Sequence, residues 1–119
     1  MKNELIERTK RFTISCWNFC FKVPKSREYN AFVNQLIRSS SSVGANYRAS
    51  QRAKSTADFI NKLKIVEEEA DESVYWLEIF EEILPKNSEE IQTLIKEGKE
   101  LLAISVASIN TAKRNQQKK

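Results

Sequence analysis

The 119-residue chain carries 20 Lys and Arg against 16 Asp and Glu, with two glycines, two prolines and no histidine. So few turn residues exclude a β-sandwich, and 40% apolar with 30% charged residues excludes a disordered chain. The missing histidine removes the commonest general acid/base, the commonest metal ligand and every Ser-His or Cys-His nucleophile pair. No catalytic residue, metal ligand or cofactor is therefore expected.

No apolar run approaches the ~20 residues of a membrane span, and the first ten residues, MKNELIERTK, are charged rather than signal-like. A cytoplasmic protein with no membrane partner is expected. Cys16 and Cys20 lie one helical turn apart, where a disulfide would close almost no loop, so free thiols in a reducing compartment are the expectation.

Taken in chain order, the apolar period gives four helices in a single domain spanning 1–119. The first covers about 3–22, with Leu5, Phe12, Cys16, Phe19 and Val23 on one stripe. Pro24 ends it, because proline disfavours helix at the preceding residue. Ser26 caps the second helix, about 26–52, whose apolar face is Phe32, Val33, Leu36, Val43 and Tyr47. The run Ser39–Ser42 inside it resembles a linker. Serine is only mildly unfavourable in a helix, however, and the period continues in phase through Val43, so helix is expected. Ser55 with Asp58 opens the third helix, about 56–84, carrying Leu63, Val66, Ala70 and Leu77. Asn87-Ser88-Glu89-Glu90 opens the fourth, about 88–114, which frays into a polar tail from Asn115 to Lys119. Short connections between long helices predict an all-α, antiparallel up-down-up-down four-helix bundle.

Two helices carry more apolar surface than one core needs. At about 100° per residue, Ile14, Trp17 and Phe21 fall away from the Phe12–Phe19 stripe. Ile65, Trp76, Ile79 and Ile83 fall away from the Leu63–Leu77 stripe. Such a patch points to an oligomer interface through the first and third helices; a wide core face is the alternative.

Charge is sorted along the chain. Residues 1–54 carry 11 basic against 3 acidic residues, 55–85 carry 2 against 9, and 86–119 carry 7 against 4. Arg27, Arg38, Arg48 and Arg52 share an arc opposite the apolar face of the second helix. Two readings compete for them: phosphate contact, or a solvated face that pairs with acids of the third helix. On the first reading Lys54 joins the stripe, with Arg8 and Arg11 as outer candidates. The run Glu67–Glu69 with Asp71 and Glu72 lacks the histidines of a di-iron bundle site and reads as a solvated face.

The stretch QLIRSSSSVGANYRASQRAKSTADFINKLKIVEEEADESVYWLEIF, residues 35–80, resembles the four helix bundle protein family. This is also called the 23S rRNA intervening-sequence protein family, and its members are sometimes labelled S23 ribosomal protein. Gln35, Leu36, Arg38, Ser39, Ser42, Val43, Ala45, Asn46, Asp58, Phe59, Glu72, Trp76 and Leu77 carry the likeness, and Phe21 to Pro24 fits the approach to the second helix. Ala49 stands where the family usually has a glutamate. The resemblance implies a bacterial homopentamer, a ring of bundles whose molecular function is not established for most members. A related branch serves diversity-generating retroelements, binding nucleic acid and a reverse transcriptase. The expected partners are therefore further copies of the chain, RNA or DNA, and a reverse transcriptase or other protein. The alternative is an interaction adaptor or scaffold ring that binds no nucleic acid.

Overall fold

The computed structural model describes residues 2–118 and contains four helices and no strand among them. These are α1 (Lys2–Cys20), α2 (Arg27–Ser50), α3 (Thr56–Ile83) and α4 (Ser88–Gln117), with one 3-10 turn at Pro85–Asn87. They form an antiparallel four-helix bundle measuring 53 × 22 × 21 Å. Each helix packs on its sequence neighbour, α1 on α2, α2 on α3 and α3 on α4, while the α1–α4 seam is the loosest side.

The helix starts follow from side-chain oxygens that satisfy amides with no partner in the first turn. Ser26 accepts from the Tyr29 amide at 3.1 Å. Ser55 accepts from the Asp58 amide at 3.1 Å, and the Asp58 carboxylate accepts from the Lys54 amide at 3.2 Å, so the reciprocal bond reaches one residue further back than a standard capping box. The expected cap at the start of α4 differs. Asn87 makes no side-chain cap bond, because the 3-10 turn feeds straight into the helix. The Asn87 and Ser88 amides donate instead to the carbonyls of Leu84 and Pro85. Helix α1 stops at Cys20, and its last turn tightens through the Phe21, Lys22 and Val23 amides before Pro24. Helix α4 runs through Gln117, beyond the expected fraying point at Asn115; Lys119 lies outside the described residues.

The core joins Phe12, Cys16 and Phe19 of α1 to Leu36 and Val43 of α2, Leu63, Val66, Leu77 and Phe80 of α3, and Ile91 and Leu101 of α4. The serine run lies wholly within α2 and makes its close seams. The Ser73 hydroxyl donates to the Ser39 hydroxyl at 2.9 Å across α2 and α3, and Thr13 donates to the Ser40 carbonyl at 2.7 Å across α1 and α2. Small residues let these backbones approach. At Gly44 an added Cβ would meet Thr13 Oγ1 and the Thr9 carbonyl at 3.5 Å, which is ordinary contact. At Gly98 it would lie 2.7 Å from Val74 Cγ2, so the α3–α4 approach excludes a side chain.

Candidate nucleic-acid interface

The antiparallel arrangement brings the C-terminal ends of α2 and α4 to the same end of the bundle, beside the start of α3. This sorts the arginines expected to form one stripe into two groups. Arg38 spans the α2–α3 seam. Its guanidinium donates to Glu69, at 3.2 Å, and to Glu72. Glu72 also accepts from the Trp76 indole at 3.1 Å, and Trp76 lies against Phe32 at 5.4 Å between ring centres. Partial burial pushes the Glu72 carboxyl upward, but the Trp76 N–H and the Arg38 guanidinium outweigh it and hold the group below its ordinary value. The same bonds, that to Glu72 foremost, raise Arg38. Arg38 is thus a clamp between helices.

Arg8 does the same across the loose seam. It donates to Glu97 at 2.7 Å and Glu100 at 2.6 Å on α4, and those bonds raise its pKa. Lys22 reinforces that seam through Glu90 at 2.9 Å. Arg11 pairs with Glu7 one turn back at 3.4 Å, and Arg27 pairs with its neighbour Glu28 at 2.9 Å. Both are exposed pairs of little energetic weight.

The remaining three are Arg48, Arg52 and Lys54, in the last turn of α2 and the loop after it. All three side chains are exposed, and no carboxylate lies within ion-pair distance of them among the described residues. Lys113, Arg114 and Lys118 near the end of α4 share this end of the bundle. A concentration of unpaired cations is what phosphates require.

The apolar candidates divide as well. Trp17 and Phe21 are 51% and 66% exposed, set edge to face at 4.5 Å. Ile14 is half-buried and lines a cleft of about 370 Å³ between α1 and α2, floored by Ser41, Gly44 and Ala45 and edged by Lys10 and Arg48. Ile65 and Ile83 are exposed and Ile79 is half-buried on the outer side of α3. Trp76 instead packs partly into the α2–α3 seam. At 100° per residue both apolar groups fall on the shoulders of α1 and α3 that flank α2, so they edge one broad face centred on the small residues of that helix. Tyr75, which sequence reasoning passed over, adds to it: it is 53% exposed, with its ring edge on Trp76 at 5.1 Å. Its outward position on the α3 wheel was the available signal.

The acids of α3 are not one solvated face either. Glu68, Asp71, Glu78 and Glu82 are exposed, whereas Glu69 and Glu72 turn to Arg38. Among the described residues no group of three His, Cys, Asp or Glu side chains is placed to hold a metal ion, and no helix is long and apolar enough to cross a membrane.

The described residues thus form a helical bundle with exposed aromatics beside α2 and, at one end, cations without an ion-pair partner among those residues. The chain belongs to the 23S rRNA-intervening sequence protein family, whose profile matches residues 1–107. It is also similar to a crystal structure from Bacteroides thetaiotaomicron described as a protein of unknown function from the S23 ribosomal protein family. The two share 29% identity and superpose with a TM-score of 0.82, over 92% of this chain and 99% of that one. No curated protein matches the chain. Neither likeness indicates an enzyme family.

Proposed function

We propose that the protein works without catalysis, as an assembly of several bundles that binds RNA or DNA through phosphate contacts at the α2 C-terminal end. The observation that carries this is the division of the basic residues. Arg8 and Arg38 are taken up by interhelix carboxylates, whereas Arg48, Arg52 and Lys54, in the last turn of α2 and the loop after it, are exposed and have no ion-pair partner among the described residues. Repetition of that end around an assembly, a pentameric ring on the family resemblance, multiplies weak phosphate contacts into useful affinity.

The test is a binding titration with labelled RNA and DNA over a range of salt. Reversal of Arg48, Arg52 and Lys54 to glutamate is expected to lower affinity at least roughly tenfold and to flatten the dependence on salt. Unchanged affinity and slope would remove this end as the site. A second reading, a scaffold ring that docks other proteins, is favoured by the exposed Trp17–Phe21 pair. A stable assembly that retains no nucleic acid at low salt would support it over the first.

A further inference from the structure

Beside the unpaired cations the α2–α3 loop, the start of α3 and the end of α4 enclose an open-mouthed cleft of about 630 Å³. Its walls include Tyr47, Gln51, Lys54, Phe59, Asn115 and Gln116. Tyr47 is the informative residue. It is only 7% exposed and lines the cleft; its hydroxyl makes no hydrogen bond among the described residues, yet no buried polar side-chain atom there lacks a partner, so the hydroxyl is the part of the side chain that opens into the cleft. Burial also raises this phenol, so at neutral pH it keeps its proton and can both donate and accept.

The rest of the lining mixes aromatic, amide, hydroxyl and cationic groups. Phe59 is half-buried and offers an aromatic surface. The carboxamides of Asn115 and Gln116 supply donors and acceptors together, and Lys54 supplies a cation at the rim. Among the described residues no carboxylate lines the cleft. The nearest in sequence, Asp58, is held by Lys62 at 2.8 Å and by the Lys54 amide. Aromatic surface, neutral amides and a cation are the recognition set of a nucleotide, and the cleft falls within the size range of small-molecule sites.

We propose that this cleft takes one unstacked base of a single strand whose neighbouring phosphates lie on Lys54 and Arg52. The proposal rests on the phosphate-binding reading above and adds a preference to it. A base in a duplex cannot enter, so the protein discriminates single strands from duplexes. Phosphate contacts alone give no such preference.

The experiment measures fluorescence anisotropy with three labelled probes of equal length: a single strand, its duplex, and a strand whose internal residues are abasic. The intact strand is expected to bind about fivefold or more tightly than the abasic one at the same salt, the scale of one stacked base. Tyr47→Phe, and separately Asn115→Ala with Gln116→Ala, shrink that gap and leave the abasic and duplex affinities unchanged. Circular dichroism confirms that each variant is folded. Equal binding of intact and abasic strands by the wild type overturns the cleft, as does an equal loss on all three probes in the variants. Arg52→Glu with Lys54→Glu separates the two ideas. Loss of all three probes supports the phosphate assignment, and the cleft is then decided by the intact-versus-abasic gap of the wild type and the Tyr47→Phe variant. If affinity for every probe is retained while the base-dependent gap persists, the phosphate assignment falls and the cleft stands.

Discussion

Cys16 is fully buried, and burial pushes its thiol up to about 12, with Cys20 beside it adding to the rise; Cys20 is half-buried and raised by burial to about 11. Thiolate is the reactive form, so neither residue should react readily near neutral pH. In the native protein iodoacetamide is expected to leave Cys16 unmodified by mass spectrometry and to label both thiols after unfolding. Prompt native labelling of Cys16 would contradict the burial. The two glycines give a sharper contrast. Gly98→Ala drives a methyl into Val74 Cγ2 and is expected to destabilise by about 1–2 kcal/mol. Gly44→Ala meets only ordinary contacts and is expected to be neutral or to gain up to about 1 kcal/mol from helix propensity. Chemical denaturation of the two variants reads the difference directly.

At the scale of the helices, the Arg38 clamp makes a prediction that separates structure from binding. Arg38→Ala is expected to cost about 1 kcal/mol, because the guanidinium is half exposed and its pairs are partly screened. That corresponds to a fall in Tm of a few degrees. Nucleic-acid affinity should change little, unlike the reversal of Arg52 and Lys54. The pH dependence has a definite sign. Glu72 is held below its ordinary value of 4.5, so its contribution is complete above that pH and is lost as acid protonates it. Part of the acid destabilisation below about pH 4.5 should therefore disappear in Arg38→Ala.

The period of 3.6 residues made the four helices and most of their core readable, and Ser26 and Ser55 marked two starts correctly. The Asn87 signal also marked the start of α4 correctly at Ser88, although a 3-10 turn rather than a side-chain cap satisfies its amides. The arginines were harder still. A helical wheel places Arg38 and Arg52 on one arc, but only the position of α3 shows that Arg38 meets acids and Arg52 does not. The same limit applied to Trp76, whose ring turns to Phe32 across that seam. Side chains on the shoulder of a helix belong to core or surface according to where the neighbour lies, and the wheel alone does not carry that information.

For the whole molecule, the division of surface is the main result. One broad face is edged by Trp17, Phe21, Ile65, Tyr75 and Ile83, and one end carries cations with no ion-pair partner among the described residues. Exposed aromatics of this size on a small bundle are costly unless another surface covers them. Exposed acidic residues lie along the outer side of α3, on a different part of the surface from the cationic end of α2. In the proposed assembly, unlike surfaces on one chain would favour head-to-tail association, which closes into a ring when the rotation permits. A binding end repeated around such a ring needs no large net charge on each copy, which is consistent with the modest +4 of this chain.

Light scattering coupled to size exclusion tests the proposed assembly most directly, since covering the aromatic face and multiplying the cations would both require more than one copy. A wild-type mass several times the 13.8 kDa of one chain is expected, and a folded species of 13.8 kDa for Trp17→Glu with Phe21→Glu. A wild-type protein of 13.8 kDa at micromolar concentration would contradict it.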